Sequence, residues 1–451
     1  MNMSGDRVEP SLSLAAAPFL SRTSVVGRWL VVGGVAVLVF ALASLRVAPP
    51  GVMFILSIGL MVAGVGVLVA EYARNPAGID NDSVVTSGLT ARGISGWILG
   101  ILLTAFYVVL YWYPHLIGGM VRVFDPLSEF MRGREADQWF MYGFFYTLAV
   151  VLMGARALVK FRHIRYQIIR TLSVVFVQLI LAFVLPSVLV LFNQPELYFS
   201  YFWPLDYDLL WPSQIGDLWS RPGYLGAFAI VWGGILTFVG TPILTYFFGK
   251  RWYCSWVCGC GGLAETAGDP FRQLSDKRLV AWKVERWLVH GILAAIVLLT
   301  LLLWVNTLMG GGILGAVTGP FMSAYGFYIG AIFSGVVGVG FYPVMGSRVW
   351  CRFGCPMAAI LGLLQKYFSR FRITTNGGQC ISCGNCSTYC EMGIDVRWYA
   401  QRGQNIVRAS CVGCGICSAV CPRGVLKLEN GPKDGRVVDP SFVGRDSVGV
   451  L

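Results

Sequence analysis

The sequence is short of charge and shorter still of histidine. Only 13% of its 451 residues are Asp, Glu, Lys or Arg, while 56% are hydrophobic; soluble domains carry about 25% charged residues. That balance excludes a disordered chain, a collagen-like one and an ordinary soluble enzyme. The three histidines, His115, His163 and His290, are too few and too scattered to supply the paired axial ligands of a membrane haem. No C-x-x-C-H occurs for a covalently attached haem. Acids are scarce as well, 23 against 35 Lys and Arg, for a net charge of +12. In a soluble domain this would suggest nucleic acid; here no nucleic-acid partner is expected, because the excess is explained by membrane topology.

What is abundant is apolar length. A spanning helix needs roughly 20 mainly apolar residues, and the sequence predicts eight: 29–45, 51–70, 95–113, 139–158, 172–192, 224–248, 287–308 and 325–345. The last span is Gly-rich, and the stretch before it, from Gly310 to Pro320, reads as a re-entrant segment. The connection between spans four and five holds Arg156, Lys160, Arg162, Arg165 and Arg170 without an acid, which places it in the cytosol. Both termini then fall inside. Only Arg46, Arg122, Arg132, Arg134 and Arg221 remain outside, against Asp125, Glu129, Glu135, Asp137, Glu196, Asp206, Asp208 and Asp217. Residues 1–28 read as a cytosolic tail ahead of a retained signal anchor, with cleavage near Ala41 to Ala48 left open. The expected location is the cell (inner) membrane. The outside loop from Asn193 to Gly223 carries Tyr198, Tyr201, Trp203, Trp211 and Trp219; it reads as an interfacial aromatic belt or as a cap over a quinone site.

Thirteen cysteines carry the chemistry. Two runs stand near the C-terminal end: Cys380-x2-Cys383-x2-Cys386-x3-Cys390 and Cys411-x2-Cys414-x2-Cys417-x3-Cys421-Pro422. This is the bacterial dicluster ferredoxin spacing, in which the fourth cysteine of each run ligates the other cluster. It assigns Cys380, Cys383, Cys386 and Cys421 to one [4Fe-4S] cluster, and Cys411, Cys414, Cys417 and Cys390 to the other. Zinc is the alternative for C-x2-C, but two matching four-cysteine runs exceed its needs. Glu391 stands where a proline usually follows the fourth cysteine.

A second pattern repeats at the ends of two spans. Gly249-Lys250-Arg251-Trp252-Tyr253-Cys254-x3-Cys258 aligns with Gly346-Ser347-Arg348-Val349-Trp350-Cys351-x3-Cys355, so spans five and six read as a repeat of seven and eight. Such symmetry frames a site at the repeat interface. Cys254, Cys258, Cys260, Cys351 and Cys355 are enough for a third cluster or a copper site. A redox disulfide and inert buried thiols remain open beside these. His290 serves either a quinone or the core, while Glu265 and Asp269 read either as proton relays beside a redox site or as parts of a capped turn.

From span five onward the chain resembles the polyferredoxin-type membrane proteins of the NapH, NosR and CcoG types, on Cys254-x3-Cys258, Cys351-x3-Cys355-Pro356 and the twin ferredoxin motif. Gly259 in place of a proline, the added Cys260 and four preceding spans are departures. The resemblance implies a membrane electron-transfer component between the quinone pool and a redox partner protein.

The expected architecture is thus an α-helical membrane protein of about eight spans with a small α+β dicluster ferredoxin domain. Its parts are a tail at 1–28, four spans at 29–170, a four-span core at 171–370, the ferredoxin domain at 371–430 and a tail at 431–451. The expected role is one-electron relay, as a component of a quinol-linked oxidoreductase. A copper-handling or assembly factor and a redox sensor are the alternatives.

Overall fold

The computed structural model describes residues 21–43, 49–74, 77–78, 92–311, 315–376 and 379–430. The two expected tails, apart from 21–28, and Arg46 lie outside the described residues. Eight helices are long and apolar enough to cross a membrane: Arg22–Leu42, Pro50–Ala73, Ile94–Trp112, Gln138–Lys160, Arg165–Leu191, Leu225–Phe248, Leu279–Leu308 and Val317–Gly340. The protein is mostly helical and multi-pass, with a ferredoxin region after the last span.

The expected boundaries shift where a helix continues past its apolar stretch. The seventh span starts at Leu279 rather than residue 287, taking in Lys283, Glu285 and Arg286; Glu285 is buried and bonded, so its charge does not end the helix. The stretch expected as re-entrant is instead largely helical. Gly315–Ala324 leads straight into the eighth span with Pro320 inside it; a proline within a spanning helix is tolerated where neighbouring groups re-satisfy the one carbonyl it leaves open.

The first five spans share an apolar core around Phe124, Leu110 and Met141, with the Phe124 ring 5.6 Å from Phe54 and 5.1 Å from Phe145. Edge-on aromatic packing of this kind adds stability beyond burial. The expected aromatic belt is only partly one: Trp219 is exposed, but Phe202, Trp203 and Trp211 are buried. Their loop inserts between the spans, where the Trp203 carbonyl accepts from Thr237 Oγ1 (3.0 Å) halfway along span six.

After the last span, a helix at Pro356–Phe368 leads into strand β1, Phe371–Thr375. It pairs antiparallel with β2, Leu426–Asn430, in the register Phe371↔Asn430 and Thr375↔Leu426. The cysteine-rich segment lies between these strands.

Candidate iron-sulfur centres

Each repeat turns back into the bundle, the first onto spans four and five and the second onto span eight. Gly249 and Gly346 adopt φ of +66° and +93°, a region open to glycine at little cost. Behind them the cysteines fold inward. Trp350 packs on Phe333 of span eight, 5.7 Å between rings. Tyr253 packs on Phe202 of the inserted loop at 5.0 Å and donates its hydroxyl proton to the Ser200 carbonyl (2.7 Å). Cys254, Cys258, Cys351 and Cys355 are all buried.

The two repeats hold each other reciprocally. Arg251 Nη1 donates to the Cys351 carbonyl (3.0 Å), and Arg348 Nη1 donates to the Cys254 carbonyl (3.1 Å). Cys258 and Cys355 occupy equivalent positions just before the helices Gly259–Glu265 and Pro356–Phe368. Burial pushes the Cys254 thiol up, and the neighbouring Cys351 and Cys258 push it further; Cys355 is likewise raised by burial, then by Cys254, Cys351 and Cys258. Each of these thiols is close enough to others of the four for their charges to interact. Cys260 lines a cavity with Tyr142, Tyr146 and Tyr201 and a second one with Trp350 and Pro356.

The C-terminal segment sorts its eight cysteines into two groups. Cys380, Cys383, Cys386 and Cys421 surround one cavity, while Cys390, Cys411, Cys414 and Cys417 surround another. Gly384 and Gly415, at φ of +85° and +74°, each begin a single helical turn, Asn385–Thr388 and Ile416–Ala419. In each turn the third cysteine of the run is presented. Burial, then Cys421, pushes Cys386 up to about 12, and burial also raises Cys414 to about 12 and Cys390 to about 11. Thiols so raised stay protonated at neutral pH unless a metal takes the proton's place. Among the described residues no three His, Cys, Asp or Glu side chains close on a single metal ion. The Ile394 N–H already points at Cys390 Sγ (3.4 Å), the type of backbone donor that tunes cluster sulfurs.

Charge supplies the test of fit. Among the described residues, the two repeats and the ion pairs that join them to the module and to spans four and five hold eight buried cations, Arg156, Lys160, Arg170, Lys250, Arg251, Arg272, Arg348 and Arg352, against four buried carboxylates, Glu265, Asp269, Glu285 and Glu391. Uncompensated buried charge costs several kcal/mol per ion. Thiolate-bound iron-sulfur clusters are anionic, and anions in these places would offset the excess. The residues therefore fit such groups.

Glu391 explains its own departure from proline. Its carboxylate accepts from Arg348 Nη2 (3.0 Å) and lies 3.7 Å from Arg272, so the ferredoxin segment is ion-paired to the arginine of the second repeat. Arg348 also donates to Glu265 (2.7 Å), which pairs with Arg170. Burial raises Glu265 to about 7, against the pull of Arg170 and Arg348. Asp269 pairs with Arg156, Lys160 and Arg272 at 2.8 Å each. The capped-turn reading of Glu265 and Asp269 thus gives way to a buried ionic network.

Residues 406–414 of the second cysteine group are bonded directly to the membrane core. Lys250 Nζ donates to the Ile406 carbonyl (2.8 Å), Arg251 Nε to Ala409 (2.9 Å), Ser255 Oγ to Val412 (2.7 Å) and the Tyr166 hydroxyl to Gly413 (2.9 Å). Gln167 Nε2 donates to the Cys414 carbonyl. The first group faces away, with Cys383 exposed. Sequence reasoning missed this ionic seam, although arginine at the same place in both repeats was a signal for it. His290 is held by its own helix, where Nδ1 pairs with the Arg286 carbonyl (2.7 Å).

The family description "4Fe-4S binding domain" matches residues 230–278 and 326–375, one segment for each repeat. "4Fe-4S dicluster domain" matches residues 379–426. YccM of Escherichia coli (strain K12), named as a candidate electron transport protein, is 28% identical over 167 residues, covering 33% of this chain and 43% of that protein. The methylamine utilization ferredoxin-type protein MauN of Paracoccus denitrificans (strain Pd 1222) is 28% identical over 163 residues, covering 34% of this chain and 53% of its own length. The chain thus spans about half, or less, of the curated relatives it matches. No solved structure matches it. These similarities support ferredoxin-type domains with relatives named for electron transport; they do not select the nitrate, nitrous oxide or oxidase-assembly type.

Proposed function

We propose that the chain is a membrane-embedded iron-sulfur electron relay between the quinone pool and a redox partner protein. When bound, the clusters supply one-electron oxidation and reduction. Cys390, Cys411, Cys414 and Cys417 ligate one [4Fe-4S] cluster, Cys380, Cys383, Cys386 and Cys421 the other, and Cys254, Cys258, Cys351 and Cys355 a third. The observation that carries this reading is contiguity. The four-thiol group within the spans is joined through Arg251 and Ser255 to the loop bearing Cys411 and Cys414, while the outermost cysteines reach the surface at Cys383. The protein holds the ligands, buries the four thiols Cys254, Cys258, Cys351 and Cys355 and supplies buried cations that favour the reduced, more negative state.

The test is iron and copper content with EPR on the full chain purified anaerobically. About twelve irons per chain support three clusters, by cubane stoichiometry. Cys351→Ser and Cys414→Ser should each remove about four irons and a different EPR signal. Quinol addition should reduce the clusters. About eight irons, with Cys351→Ser without effect, would leave the four-thiol group structural; retained copper, with clusters that quinol leaves oxidised, would overturn the relay.

A further inference from the structure

Beside the four-thiol group lies a cavity of about 450 Å³, within the roughly 300–1,000 Å³ range of small-molecule sites. Span four contributes Trp139, Tyr142, Gly143 and Tyr146, which share one helical face; span five contributes Gln178, and the inserted loop Tyr201 and Asp206. A second cavity of about 210 Å³ shares Tyr201, Leu205 and Cys260 with the first and extends to Trp350 and Pro356, the neighbours of Cys351 and Cys355. The two adjoin at these shared residues, and the second ends at Trp350 and Pro356, beside Cys351 and Cys355.

Its walls are aromatic, and its polar atoms are few and incompletely used. Gln178 is buried; its Nε2 donates to Thr147 Oγ1 (3.1 Å), while its Oε1 has no hydrogen-bond partner. A buried acceptor left unpaired costs about 1–3 kcal/mol, so this oxygen calls for an O–H or N–H donor. The departure at Gly259 belongs to the same place. A Cβ there would lie 2.5 Å from the Tyr201 hydroxyl oxygen and 2.8 Å from Gln178 Oε1, so a proline would fill the corner where these two atoms meet. Span five is π-helical over Val177–Val184, and the second cavity is lined from two more such stretches, Tyr325–Val337 and Trp350–Gly354. Strained helical segments of this type are frequent at functional sites.

We propose that this cavity binds the ring of a quinone or hydroquinone, flat between the tyrosine and tryptophan walls, with one ring oxygen at Gln178 and Tyr201. A hydroquinone hydroxyl supplies the donor that Gln178 Oε1 lacks. The Tyr201 hydroxyl can donate to the carbonyl of the oxidised form. A phospholipid acyl chain offers neither. Asp206 stands at the edge as the carboxyl nearest the ring site; burial, then Asp208, raises it to about 7. This proposal rests on the relay reading and names the place where its membrane substrate docks.

The experiment is photolabelling of the full chain in lipid nanodiscs with an azido-quinone, followed by peptide mapping, with decylubiquinone as competitor. Label is expected within 139–146 or 198–206, displaced by decylubiquinone. Gln178→Leu should weaken that competition about tenfold, the loss of one good hydrogen bond. Gly143→Leu should abolish labelling by filling the space; its first added carbon meets the Phe183 ring at an ordinary 3.6 Å, and unchanged iron content on the same sample checks that the fold is kept. Label elsewhere, label indifferent to both substitutions, or a phospholipid that quinone fails to displace would overturn the site. Iron content and dithionite-reduced EPR spectra on the same samples separate the two ideas. Full iron without label removes the site and leaves the relay, whereas specific label without iron removes the relay and leaves the site.

Discussion

Single residues settle what the buried charges are for. Asp269 is fully buried against three cations. Burial alone would raise its carboxyl, yet Lys160, Arg272 and Arg156 hold it well below the usual range. Its folded value therefore lies below the unfolded one near 3.9. The stability it contributes is complete above the unfolded value and is lost as pH falls toward the folded one. Asp269→Asn should cost about 3–5 kcal/mol at neutral pH, as breaking buried pairs does, and flatten that acid limb in chemical denaturation. Glu391 makes a different prediction. Glu391→Pro restores the usual ferredoxin residue but strips Arg348 and Arg272 of a partner, so faster hydrogen exchange across 380–425 is expected with both module clusters retained. Unchanged exchange would show that the ion pairs do not seat the module. The odd glutamate was visible in the sequence, but its meaning was not, because its partners lie 43 positions away at Arg348 and farther still at Arg272.

At the scale of elements, local signals were read well and folded-back ones were not. Hydropathy is a running property of neighbouring residues, so eight spans were legible. The glycine and cysteine spacing of the repeat was legible for the same reason. Hydropathy cannot say that the segment after a span returns alongside it, because Trp350 and Tyr253 look alike at a helix end or inside a bundle. For that reason the fold-back was expected at Gly310 to Pro320 and is found instead behind Gly249 and Gly346. Proximity in sequence likewise does not reveal that Cys260, one of the five helix-end thiols, lines the tyrosine cavity. Gly261 tests the packing of the returning segment. A Cβ there would sit 1.9 Å from the Cys254 carbonyl oxygen. Gly261→Ala should lower iron by about four per chain while sparing the module's EPR signals. Gly234→Ala, with nothing within 4 Å, is the control and should change neither.

Across the whole molecule, the module and the loop between spans four and five share one side, because Tyr166 and Gln167 bond to residues 413 and 414. The basic residues of that loop predict that this side is the cytosol. A cysteine placed at the exposed Arg162 should react with an impermeant maleimide only after the cells are opened, and one at the exposed Trp219 should react in intact cells. The reverse pattern would invert the whole arrangement. The antiparallel pair of β1 and β2 has a further consequence. Because Phe371 lies opposite Asn430, the cysteine-rich segment enters and leaves at one point, like a pendant on a clasp. Such a segment can be exchanged between chains without rerouting the helices beneath it. What ties this pendant to its own setting is the set of polar contacts from Tyr166, Gln167, Lys250, Arg251, Ser255 and Arg348, so a graft that kept the clasp but lost those contacts would hang correctly and sit loose.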